Sequence, residues 1–247
     1  MNLFVEVLLQ KSSGSYKDTF NTFKNFAELS RRFELILPSY PHIPCLGINP
    51  WQEKYADIFH APSMIHIRTR DFSCTEKFEA FLAQYTKKIG KNIYGLLIFG
   101  DLYGNPGDFE IKPWEAIARA KEYFSKVGIV VNPTPVLRSA KEELESFALK
   151  LKENPDFIVT QCVYDIETMQ IFFKIAGINL NKIFMNLGYW NKESPYFKLG
   201  IANPNRLTTP PQQIVDLAMN ECQGIYVCGN IPRVDILLKK QIENSLT

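Results

Sequence analysis

Eight polar side chains stand at or near the ends of short apolar runs: Glu6, Ser39, His66, Asp101, Asn132, Gln161, Asn186 and Asn230. Glu6 is the most informative, because it sits inside V-E-V. A carboxylate inside a buried strand costs several kcal/mol unless it is paired or protonated. Partial burial would raise its pKa and suit it to general-acid work near neutral pH, whereas a structural ion pair with a Lys or Arg is the alternative. Asp101 follows an apolar run and a glycine, where it either steers a charged ring system or caps a loop. His66, within M-I-H-I, is a ligand contact or a core histidine with a satisfied hydrogen bond. Gln161 carries an amide able to donate to and accept from the edge of a heterocycle, or to a neighbouring strand. His42 and His60 carry no assignment. With no H-x-x-H, carboxylate cluster or Ser/His/Asp order, metal-dependent hydrolysis and acyl transfer have no support.

These residues need elements to hold them. The clearest is the stretch P-D-F-I-V-T-Q-C-V-Y-D, residues 155–165. Phe157, Ile158 and Val159 form a β-rich apolar run, and Thr160 and Gln161 bring polarity at its end. Asp165 opens a helical pattern through Ile166, Met169, Phe172 and Phe173 that stops at Gly177. This reads as a buried parallel strand, a short loop and an amphipathic helix. The unit repeats along the chain. Strands are expected at 3–9, 33–37, 64–67, 93–99, 129–131, from 157, at 182–186 and at 225–228. Helices are expected at 18–32, 51–59, 76–89 with Gly90 as its cap, 113–127, 139–152, from 165, at 211–220 and from 230. Gly128 is read as the turn into the fifth strand. A long irregular segment, 188–211, is expected to cover a site or carry an interface. Eight alternating strands and helices in 247 residues predict a parallel sheet and a single α/β domain, 1–247, folded as a (β/α)8 TIM barrel. An open doubly wound sheet is the other fold considered, but Q-K-S-S-G after the first strand is no glycine-rich fingerprint.

Composition agrees with a globular chain. It is 46% hydrophobic, enough for a sizeable core, and its net charge of +2 leaves no electrostatic footprint for nucleic acid. Five cysteines, odd in number and without a C-x-x-C pair, predict reduced thiols and no structural zinc. No apolar run reaches the ~18–20 residues of a membrane span, and an acidic residue at position 6 without a basic n-region argues against a signal peptide. A soluble, cytoplasmic protein is expected.

The stretch D-F-I-V-T-Q-C-V-Y-D-I-E-T resembles strand six and the following helix of the methylenetetrahydrofolate reductase family, flavin-dependent barrel oxidoreductases of folate-based one-carbon metabolism. Glu6 in F-V-E-V resembles the family's general acid, His66 in I-H-I-R its histidine near the flavin, and Gly100-Asp101 its glycine–aspartate pair beside the flavin ring. The resemblance covers roughly residues 3–192. It implies a reductase that converts a methylene-tetrahydropterin to the methyl form, with Glu6 and Asp101 catalytic. It implies FAD, with FMN or no flavin as the alternatives, near His66, Gly100, Asp101, Asn132, Glu143 and Lys150, and the pterin against Gln161 and Tyr164. Three positions depart from the family pattern. Phe99 replaces an Arg, Asn132 stands where an aromatic residue is usual, and P-T-P-V-L-R lacks a histidine. They imply altered flavin binding, another donor, or a pterin-binding subunit in a larger complex. The partners implied are methylene-tetrahydrofolate or a related tetrahydropterin and an electron-donor or partner subunit, with no nucleic acid and no membrane. Homo-oligomerisation is left open.

Overall fold

The computed structural model describes residues 2–6, 35–41, 63–69, 72–90, 93–98, 111–134, 139–189 and 209–229. Within them, eight strands and five α-helices follow in chain order: β1 (Asn2–Glu6), β2 (Leu35–Pro41), β3 (Ser63–Arg68), α1 (Thr75–Ile89), β4 (Ile93–Ile98), α2 (Pro113–Ala120), β5 (Lys126–Val131), α3 (Ala140–Lys152), β6 (Phe157–Cys162), α4 (Ile166–Ala176), β7 (Ile183–Tyr189), α5 (Pro211–Glu221) and β8 (Gly224–Gly229). A 3-10 turn, Leu180–Lys182, leads into β7.

Contacts group the chain into two compact units: Met1–Ile36 with Val131–Ser146 and Val159–Thr247, and Leu37–Val130 with Phe147–Ile158. In the second, β2, β3, β4 and β5 pair in parallel, with Ile65 opposite Gly95 and Leu96 opposite Gly128. In the first, β7, β8 and β1 pair in parallel, with Leu187 opposite Val227 and Val227 opposite Val5.

The eight-fold (β/α)8 TIM barrel expected from the sequence is therefore corrected. Five α-helices, not eight, stand among the described residues, and the described ladders fall in two groups. The helices expected at 18–32, at 51–59 and from 230 lie outside the described residues. The physical reason is that β/α alternation specifies parallel pairing locally. An eight-fold barrel also demands matched stagger and tilt in every strand, which no local pattern encodes.

Glycines in two strands leave room for aromatic rings. Gly128, expected as a turn, lies inside β5, and a Cβ there would sit 2.1 Å from the Phe157 ring. Gly95 in β4 takes the Phe124 ring in the same way, at 2.5 Å. The helix expected to reach Val127 instead ends at Ala120, because Phe124 turns inward as a buried residue and Ser125 donates its N–H to Ile93 carbonyl. Val127 N–H then donates to the Asp156 carboxylate at 2.7 Å, starting β5 three residues early. The boundaries of α1 and α4 are as the sequence predicts: Gly90 closes the former at φ +95°, and Gly177, in the left-handed region at φ +68°, closes the latter.

Candidate functional site

The polar residues at the end of β6 are set out against an apolar strand. Phe157, Ile158, Val159, Thr160 and Cys162 are buried, while Gln161 alone on β6 is exposed. Thr160 is fully buried and turns its hydroxyl to β7, where the oxygen accepts the Asn186 N–H at 2.9 Å. The Asn186 carbonyl in turn accepts the Val163 N–H at 3.2 Å. One β7 residue thus holds the Thr160 side chain before Gln161 and the Val163 backbone after it, without using the Gln161 side chain. The Asn186 side chain is itself buried at 7% exposure.

The turn that follows is tied down again. The Tyr164 hydroxyl donates to the Thr134 carbonyl at 2.9 Å, joining it to the residues after β5. Half-burial holds the Tyr164 phenol above its ordinary pKa, and the neighbouring Asp165 carboxylate pushes it the same way. Thr209 donates its N–H to Tyr164 carbonyl at 3.2 Å and accepts Ile166 N–H on its hydroxyl at 3.0 Å. Asp165 caps α4, its carboxylate taking both the Thr168 N–H and the Thr168 hydroxyl. The exposed amide of Gln161 therefore projects from a frame whose backbone is held from three directions.

The residues after β5 are organised by Asn132. Its side-chain oxygen accepts the Thr134 N–H at 3.1 Å, a local Asx turn, and its own N–H donates to the Glu143 carboxylate at 3.0 Å. Glu143 lies on α3 at 6% exposure. Further along α3, Lys150 is 8% exposed and donates to the Val130 carbonyl at 2.9 Å. Ser139 and Glu142 form a reciprocal capping box at the start of that helix.

Of the residues singled out by sequence, Asn132, Glu143, Gln161 and Tyr164 fall in one unit, and Thr134 links Asn132 to Tyr164. His66 and Lys150 belong to the other. His66 sits on β3 opposite Leu96 and Pro41, and burial pushes its pKa down to about 4, so it is a neutral imidazole at pH 7. Glu6 is the last residue of β1. Gly100 and Asp101 lie outside the described residues. Sequence reasoning noted Thr160 only as the polar end of an apolar run, and missed Thr134 and Thr209. Only Thr160 had a signal, a hydroxyl abruptly ending an apolar run; Thr134 and Thr209 act through contacts 30 and 43 residues away. Among the described residues, no group of three or more His, Cys, Asp or Glu converges as a metal site, and no helix is long and apolar enough to cross a membrane.

No protein-family model matches the chain, and no curated protein matches it. Among solved structures, the chain shares its fold with an uncharacterized protein from Clostridium thermocellum that binds two copies of 5-methyl-5,6,7,8-tetrahydrofolic acid. The TM-score is 0.63 at 15% sequence identity, over 98% of this chain and 95% of that one.

Proposed function

We propose that this chain binds a reduced-folate carrier of one-carbon units at the carboxyl end of β6, with Gln161 reading the pterin edge. The exposure of Gln161 on an otherwise buried strand carries this reading. A primary amide donates and accepts in one plane, which matches the alternating N–H and carbonyl groups of a pterin. The fold-sharing protein that binds a methyl-tetrahydrofolate supports it, as does the resemblance of D-F-I-V-T-Q-C-V-Y-D to the methylenetetrahydrofolate reductase family.

The reaction in this reading is reduction of a methylene-tetrahydropterin to the methyl form. The methylene bridges a pterin ring nitrogen and the nitrogen of the attached side chain. Protonation of one nitrogen opens the ring, and the resulting iminium accepts a hydride. Glu6, ending β1, is the proton donor. Two side chains of the expected flavin cradle are engaged with the protein's own backbone. Glu143 and Lys150 are buried and hydrogen-bonded to the backbone of Asn132 and Val130. The hydride donor therefore does not rest on a flavin held by these two side chains. The same two contacts favour a second reading, a tetrahydropterin-binding subunit with no reductase chemistry of its own.

Calorimetric titration with 5-methyl-tetrahydrofolate tests the binding. Gln161→Ala is expected to weaken it about tenfold, the size of a lost hydrogen-bonded pair. A wild-type chain that does not bind ends the reading. Turnover of methylene-tetrahydrofolate with a reduced flavin, abolished by Glu6→Gln while binding persists, selects the reductase; binding without turnover selects the subunit.

A further inference from the structure

Thr209 makes two hydrogen bonds to the turn after Gln161, and both are to backbone. It donates to Tyr164 carbonyl and accepts from Ile166 N–H, so a single residue brackets Asp165 from both sides. The Ile166 amide is one of the first-turn donors of α4 that the helix itself leaves unpaired. Asp165 serves Thr168, three residues on, and the Ile166 amide is left for the Thr209 hydroxyl. Thr209 is buried at 8% exposure, and its bond to the Ile166 amide is partly buried.

The residue is also well anchored on its own side. Pro210 and Pro211 follow it, and a residue before proline is confined to extended backbone. Pro211 opens α5, which is fixed by the fully buried Ile214, Val215 and Ala218. A stiff link thus transmits the position of a core helix to the Tyr164–Ile166 turn.

We infer that Thr209 is a positioning residue for the tetrahydropterin site. Its hydroxyl holds the turn after β6 so that Gln161 meets the ligand in a single orientation. This rests on the binding reading given above. Without the hydroxyl, the Ile166 amide loses its partner and the turn gains freedom that the ligand must then remove on binding.

The experiment compares wild type, Thr209→Val, Thr209→Ser and Gln161→Ala. Affinity for 5-methyl-tetrahydrofolate is measured by calorimetry, and exchange of the Ile166 amide is followed by NMR. Thr209→Val keeps the shape and removes the hydroxyl. It is expected to weaken binding about fivefold and to speed Ile166 exchange about tenfold, the scale of one lost hydrogen bond. Thr209→Ser is expected to restore both. A merely structural role would lower thermal stability in Thr209→Val and leave the affinity of the folded chain unchanged, which overturns the inference. Wild type that fails to bind, with Gln161→Ala no different, defeats the binding reading instead. In that case unchanged Ile166 exchange in Thr209→Val removes the positioning role as well, and faster exchange reversed by Ser retains the hold on the turn.

Discussion

In β4 and β5 the strand backbone meets aromatic rings, and at the ends of β6 and β7 it meets hydroxyls and amides. Gly95 and Gly128 have no side chain, so the rings of Phe124 and Phe157 lie directly against the strands. Tyr94 adds to this packing, its ring centroid 5.9 Å from that of Phe157. Around Gln161 the close contacts are directional instead: Thr160 to Asn186, Val163 to Asn186, Tyr164 to Thr134, and Thr209 to both Tyr164 and Ile166. Ring-on-glycine packing supplies dense apolar contact with little tolerance for added volume. Hydrogen bonds supply less energy each but specify where a backbone segment stands. A site that must present one amide to a ligand is better served by the second arrangement, and Gln161 stands there.

This contrast can be broken most sharply at Gly128. Gly128→Ala places a methyl group inside the Phe157 ring and is expected to cost about 3 kcal/mol, the upper range for overpacking. Urea denaturation measures it. Phe157→Leu in the same chain should recover part of the loss, giving a non-additive double-mutant cycle. An alanine variant as stable as its parent would mean that the ring has room to move, and the contrast would lose its first half.

His66 provides a second test in the apolar unit. Its folded pKa of about 4 lies below the ordinary 6.5 because burial disfavours the charged imidazolium. The unfolded chain therefore takes up the proton first. The stabilisation from keeping His66 neutral is present above pH 6.5 and is lost as pH falls toward 4, by up to about 3 kcal/mol. Stability measured across this window should fall less steeply in His66→Gln than in wild type, whatever the offset between them at pH 7. Parallel curves would show that another group carries the acid sensitivity.

At β6 the effects should be smaller and of a different kind. Thr160→Val keeps the volume but leaves the buried Asn186 N–H without its acceptor, at a cost of about 1–2 kcal/mol. The telling comparison is with Gly128→Ala: the glycine change should lower stability with little effect on ligand affinity, and Thr160→Val should lower both. Equal ratios of the two effects would mean that the site is not specially positioned by its hydrogen bonds.

Much of the candidate site was legible because it is local. The sequence from Phe157 to Gly177 contains an apolar run, a polar break, an Asp at the N-cap position and a Gly where the chain must turn left-handed. The structure places β6, the Asp165 cap and the Gly177 stop accordingly. Gln161 was visible for the same reason, as an abrupt amide on an apolar strand. Gly128 shows the limit. A glycine before a β-branched run reads as a turn, and only the Phe157 ring, 29 residues on, explains why it belongs inside a strand.

By itself, then, the sequence determined the alternation of strands and helices, their parallel pairing, the helix stops at Gly90 and Gly177, and the polar end of β6. These depend on neighbours a few residues away, through backbone sterics, capping and burial period. Tertiary structure alone decided that five helices and two groups of ladders stand among the described residues, and that Glu143 and Lys150 serve the β5 backbone. It alone brought Thr134 and Thr209 to the turn after Gln161. Such contacts join residues tens of positions apart, and their partners are chosen by how whole elements pack, which no short stretch of chain encodes.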